Sequence, residues 1–138
     1  MRRFEAEKAD FDFKTQPKEA FPHEIASHAS PLRRPGTTYE PALQQGKESN
    51  VALAASRIDG IVVPPGRVFS YHHAVGPPTK ARGFVLGSEL HDGSLKPGIG
   101  GGCCQVSNLL YALALLSGLE IVQRHRHGLD LFPDSGRT

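Results

Sequence analysis

The residues best suited to chemistry lie in one run, Gly98-Ile99-Gly100-Gly101-Gly102-Cys103-Cys104-Gln105. Glycine takes positive φ and lets other groups approach the backbone, so this run must turn. An apolar periodic segment follows, so the turn feeds a helix. A cysteine at a helix start meets free amides and the positive end of the helix dipole, and both favour thiolate. A thiolate is the nucleophile of acyl transfer. The same amides can receive the oxyanion that forms on the attacked carbonyl. Cys104 is favoured over Cys103 because it stands nearer the helix start, and Gln105 or the turn backbone is the candidate oxyanion donor. The competing reading is a glycine-rich packing turn or docking turn in which the cysteines are small buried residues.

A cysteine nucleophile needs a base. The chain has seven histidines, and two of them stand in Arg124-His125-Arg126-His127, just beyond the helix. In a strand running back beside that helix, His125 and His127 face one side and Arg124 and Arg126 the other. Either histidine is then a candidate base, and either arginine can hold a substrate carboxylate by a forked contact. A solvated basic strand end explains the same residues without chemistry. Cys103, Cys104, His125 and His127 are also zinc-type ligands, but structural zinc sites space their ligands by two or more residues. Adjacent cysteines fit that pattern poorly, so no metal or cofactor is expected.

The elements that must position these groups read as follows. Residues 1–45 carry many breakers, including Pro17, Pro22, Pro31, Pro35 and Pro41, and read as an irregular arm with a short helix near residues 2–8. Val51, Ala54, Ala55 and Ile58 share one face of a helix over residues 50–58, which Gly60 ends. Residues 61–63, 69–71 and 83–86 read as short strands. Residues 97–102 read as a loop. Val106, Leu109, Leu110, Leu113 and Leu116 form the buried stripe of a helix over residues 104–117. Residues 119–126 alternate and read as a strand, and 132–138 as turns. The sum is a small single α+β domain with two main helices, long loops and an incomplete antiparallel sheet. An incomplete sheet leaves an open edge that invites self-association.

Totals narrow the function. With 138 residues and a net charge of +2, the chain has neither the size for several domains nor the basic excess of a nucleic-acid binder. No segment reaches the roughly 20 apolar residues of a membrane span. The first twelve residues are charged and lack the apolar middle of a signal peptide, which predicts a cytoplasmic chain. Vicinal cysteines cannot staple distant segments and give no sign of an oxidising compartment.

The ordered set of motifs resembles the VanW family. Gly98 to Ser107 resembles its G-x-GGG-x-CQ-x-S signature. Lys47 to Asn50 is similar to its K-x-x-N segment. Pro65 to Ser70 is similar to PGE-x-FS, with Arg67 in place of Glu. Val75-Gly76 with Thr79, and then Gly83-Phe84, follow in order. Arg124 to His127 resembles R-x-x-H, and His28 to Arg33 a weaker H-x-S-x-L-x-R. The resemblance covers residues 28–138, after an arm over residues 1–27. It implies a link to the bacterial cell envelope and glycopeptide resistance. It also implies peptidoglycan L,D-transpeptidation through a cysteine acyl-enzyme, or else a non-catalytic accessory module. On the first reading Cys104 is the nucleophile and His127 the favoured base, ahead of His125. Gly101, Gly102, Gln105, Ser107, Arg124 and Arg126 line a site for a peptidoglycan precursor or stem peptide. Family domains continue into a P-x-G-x-x-A-T-V segment that looks like a closing strand. Its absence here predicts a domain truncated at its C-terminus.

Overall fold

The computed structural model describes residues 13–33, 40–91 and 94–125. They form a small α+β unit. Helix α1 (Pro41–Ile58) is followed by α2 (Tyr71–Val75), strands β1 (Leu86–His91) and β2 (Ser94–Ile99), and helix α3 (Cys103–Leu116). The strands pair antiparallel from Leu86↔Ile99 to His91↔Ser94, a two-stranded sheet that leaves both outer edges unpaired among the described residues.

Helix α1 starts nine residues before the expected helix, inside what reads as an irregular arm. Pro41 stands at its first position, where a missing N–H costs nothing and the fixed φ suits a helix. Gly46 lies within it because of what it packs against. A Cβ there would overlap the Leu86 carbonyl of β1. Gly46, Asn50 and Ala54 recur every fourth residue, so they share the face that meets β1 and the glycine turn, and all three are buried. Of the expected apolar face, Ala54 is fully buried and Val51 and Ile58 pack against the core, while Ala55 is exposed.

Among the described residues the buried apolar ones are few: Ala54, Val75, Phe84 and Val106, one from each segment around the site. Burying such a side chain contributes about 1.5–3 kcal/mol for the larger ones. Polar pins therefore matter. Asn50 is fully buried. Its Nδ2 donates to the Val85 carbonyl at 2.9 Å and the Gly101 carbonyl at 3.0 Å, and its Oδ1 accepts the Val85 N–H at 2.9 Å. One side chain thus fastens α1, the entry to β1 and the glycine turn together. Arg57, in the last turn of α1, donates to the Val75 carbonyl at 2.7 Å and stacks over the Phe84 ring at 4.8 Å.

Several expected strands are something else. Ile61 makes an isolated bridge with Thr15, and residues 62–63 join no strand. Tyr71 opens α2 instead of ending a strand, because the Ser70 hydroxyl accepts the His73 N–H and caps a helix. The third strand begins only at Leu86, after Phe84 has turned into the core. The expected loop over 97–102 is partly β2, with Pro97 paired opposite Ser88. Residues 119–125 form no strand, since no partner strand lies beside them among the described residues. Helix α3 stands as expected within one residue at each end, but its stripe is unevenly covered. Val106 is buried, Leu109, Leu110 and Leu113 are half-buried, and Leu116 is exposed. The expected helix near residues 2–8 and the turns over 132–138 lie outside the described residues.

Replacing Asn50 by Ala strands the part-buried Val85 N–H and carbonyl and the buried Gly101 carbonyl, each costing about 1–3 kcal/mol when left without a partner. Urea denaturation of Asn50→Ala should therefore show a loss of about 3 kcal/mol or more. Exposed Ser49→Ala should stay within about 0.5 kcal/mol. A loss below about 1 kcal/mol for Asn50→Ala would contradict the clamp.

Candidate functional site

The glycine turn joins β2 to α3 through backbone bonds: Gly100 N–H to Val85 O at 3.0 Å, Gly101 N–H to Gly98 O at 3.1 Å, and Cys103 N–H to Gly100 O at 3.1 Å. Gly100, Gly101 and Gly102 all lack room for a side chain. A Cβ on Gly101 would overlap the backbone of Gly87. Gly102 caps α3 with φ +103°, and a Cβ there would meet Lys47 Cγ at 2.7 Å. Packing thus accounts for Gly101 and Gly102 directly.

The turn separates the two thiols. Cys103 is half-buried against the core, and its carbonyl accepts the Tyr71 hydroxyl at 2.9 Å. Cys104 is exposed, in the first turn of α3. Its acidity runs against the expectation from the helix dipole. Burial of the sulfur among surrounding protein atoms pushes the Cys104 thiol up, the Glu89 carboxylate pushes it further, and only its own backbone amide acts downward. The residue is open at its surface while protein walls its inner side, which reconciles exposure with desolvation. Burial also raises Cys103, and the neighbouring Cys104 adds to it. The half-buried Tyr71 phenol is raised too, first by burial and then by the two cysteines.

The oxyanion donors are largely engaged. The Gln105 N–H donates to Gly102 O at 2.9 Å. Its side-chain amide donates to the Pro31 carbonyl at 3.1 Å and the Ser30 hydroxyl at 3.3 Å. Gln105 therefore holds residues 30–31 against the start of α3. The same segment is held to α1 by Lys47 Nζ on Leu32 O at 3.1 Å and by an Arg33–Glu48 ion pair at 2.6 Å. Arg33 and then Gln44 lower the Glu48 carboxyl to about 2. A lowered carboxyl adds stability that is complete above the ordinary range near ~4.3 and is lost as pH falls toward 2. Ser107 donates to the Cys104 carbonyl at 2.9 Å, one turn back in the same helix.

The histidine end is arranged differently from a returning strand. His125 is exposed and its Nε2 lies 2.8 Å from the Gln123 side-chain nitrogen. The Arg124 guanidinium lies over the Tyr111 ring at 3.5 Å and reaches Asn108 Oδ1 at 3.3 Å, so it packs on the flank of α3. Arg126 and His127 lie outside the described residues. No three His, Cys, Asp or Glu side chains converge as metal ligands among the described residues. No helix there is long and apolar enough to cross a membrane.

Sequence reasoning passed over two groups. Glu89, on β1, raises the Cys104 thiol by its charge, which nothing local in the sequence suggests. Asn50 was visible only as part of a K-x-x-N spacing, and its role depends on contacts 35 and 51 residues away.

Alkylation with mass-spectrometric mapping should show Cys104 reacting at pH 7 more slowly than the same cysteine in the unfolded chain. Its rate should rise through a midpoint above the free-thiol value of ~8.5. A midpoint below that value would contradict the desolvated site.

Comparison with known proteins follows the same residues. The family described as VanW like protein matches residues 46–135. The uncharacterized protein YoaR of Bacillus subtilis (strain 168) is 38% identical over 90 residues, 65% of this chain and 30% of that protein. The vancomycin B-type resistance protein VanW of Enterococcus faecalis (strain ATCC 700802 / V583) is 35% identical over 98 residues, 71% of this chain and 36% of that protein. The chain thus spans about a third of the length of these curated relatives. No solved structure matches. A match over most of the chain, running from the middle of α1 through the glycine turn and α3, settles its kinship: the chain belongs to the VanW family.

Proposed function

We propose that this VanW-family chain is a cysteine acyl-transferase domain of the L,D-transpeptidase type, acting on peptidoglycan stem peptides. One observation carries the reading. A turn pinned by Asn50 and by glycine contacts presents the Cys104 thiol outward at the head of a 14-residue helix, while its neighbour Cys103 packs inward. A thiol kept only for packing has no need of that presentation. The relative named for vancomycin resistance supports a cell-envelope role.

The steps follow from acyl-transfer chemistry. Cys104 gives its proton to a base, assigned to His127 by the family resemblance, with His125 second. The sulfur bonds to the peptide carbonyl carbon, and the carbonyl electrons move to oxygen. The amides at Cys104 and Gln105 are the candidate oxyanion donors, although that of Gln105 bonds the Gly102 carbonyl. Collapse breaks the C–N bond, the base returns its proton to the leaving amine, and a thioester remains. An acceptor amine then takes the acyl group, or water hydrolyses it. Arg126 or Arg124 holds a carboxylate of the stem.

The raised thiol and the engaged Gln105 amides favour a second reading, a non-catalytic docking module of cell-wall metabolism. Intact-mass analysis after incubation with diaminopimelate-containing stem peptides separates the two. Acyl transfer predicts an acyl adduct on Cys104 that disappears in Cys104→Ala and persists in Cys103→Ala. In His127→Ala it should form about 100-fold more slowly or worse. Stem peptides that bind without any adduct would establish the docking module instead.

A further inference from the structure

The chain before α1 joins no helix or strand over residues 22–33. Along its last part, partly buried Ala26, His28, Ser30 and Leu32 alternate with exposed residues, the period of an extended chain laid on a surface. Among the described residues no backbone–backbone hydrogen bond holds it. Its anchors are side chains of the two long helices. Gln105 Nε2, on α3, donates to the Pro31 carbonyl at 3.1 Å and the Ser30 hydroxyl at 3.3 Å. Lys47 Nζ, on α1, donates to the Leu32 carbonyl at 3.1 Å, and Glu48 takes the Arg33 guanidinium at 2.6 Å. Donors on two successive carbonyls grip a main chain whatever its sequence, and the carboxylate beside them selects a cationic side chain; extended peptide ligands are held in this way. The grip flanks the cysteine. Gln105 follows Cys104 in the first turn of α3, and Lys47 packs on Gly102, where a Cβ would meet its Cγ at 2.7 Å. The segment is an imperfect occupant. Gln44, 3% exposed, donates its Nε2 to Glu48 at 2.8 Å, while its Oε1 is buried with no hydrogen-bond partner among the described residues. The buried Nε2 of His28, on the segment itself, has none there either.

We propose that residues 30–33 are a built-in strap lying in the groove that grips the main chain of the peptide substrate, and that the substrate displaces it. This rests on the reading that Cys104 acts on a peptide, and it adds how that peptide is held and what fills the grip beforehand. The substrate offers successive carbonyls to Gln105 and Lys47 and a cationic side chain to Glu48. A hydrogen-bond donor that reaches Gln44 Oε1 gives it an advantage over the strap, which leaves that atom unmet. The strap's own hold is light, because an exposed ion pair adds little and no backbone ladder backs it. It can therefore open without unfolding the domain. Opening also frees the Gln105 side-chain amide, a candidate oxyanion donor, so the groove is filled and the donor released in one step.

The probe is a labelled peptide with the strap's own sequence, residues 27–33, added in trans to the full chain and followed by fluorescence anisotropy. Arg33→Glu in the protein sets two carboxylates against each other and loosens the strap. The peptide should bind that variant about fivefold or more tighter than the wild type, the size of an exposed ion pair. The same peptide made with Arg33→Glu should bind it more weakly. Glu48→Lys in the protein also repels the strap, and there the preference between the two peptides should reverse. Circular dichroism checks the fold of both variants. No binding up to millimolar peptide, equal affinity for wild type and Arg33→Glu, or an unchanged preference in Glu48→Lys would overturn the proposal. Peptide binding with the expected charge preference, but no acyl adduct on Cys104 from stem peptides, would sink acyl transfer and keep the strap. An adduct that forms at the same rate in wild type and Arg33→Glu would keep acyl transfer and sink the strap.

Discussion

The architecture depends on one buried carboxamide. Asn50 holds the Val85 and Gly101 backbones to α1 with three hydrogen bonds, and among the described residues the buried apolar core is four side chains. A carboxamide suits this place because it donates and accepts at once. Val85 offers both a donor and an acceptor, and Gly101 a second acceptor. Aspartate would set an oxygen against carbonyls, and leucine would leave all three groups unpaired. The glycines serve the same junction. Gly46, Gly87 and Gly101 lack the Cβ atoms that would hold helix, strand and turn apart, so the backbones approach closely enough for Asn50 to span them.

The consequence for chemistry is positional. The turn ends in two cysteines that differ by one residue and by about a third of a helical turn. Cys103 enters the core beside Tyr71, and Cys104 emerges. The fold supplies orientation without supplying an ionised thiol, since desolvation and Glu89 outweigh the amide at the helix start. A protonated thiol is a poor nucleophile.

The sequence reveals this arrangement unevenly. Helix α3 and the glycine turn are legible because their periodicity and glycine density are local signals. The first half of α1 is not, because Pro41 and Gly46 look like breakers. Proline at a helix start and glycine at a helix–strand crossing both depend on surroundings that local composition hides. The β-branched run at residues 61–63 and the alternation over 119–125 suggest strands, but a strand needs a partner, and among the described residues neither segment finds one beyond the Ile61 bridge to Thr15. Cys104 is legible at the head of α3 from its neighbours in sequence. The influence of Glu89 on the thiol is not legible, because the two are far apart in the chain and only the folded arrangement relates them. The dipole argument for Cys104 also points the wrong way, since it weighs the helix and omits the protein around the sulfur.

The central claim is that Asn50 fixes the glycine turn to α1 and thereby holds Cys104 in place. Native-state hydrogen exchange at the Val85 amide tests it directly. That N–H, accepted by a fully buried side chain, should be among the slowest in the chain and should exchange only through global unfolding. Exchange as fast as that of exposed loop amides, independent of global stability, would mean that the clamp opens locally and that the turn is not held.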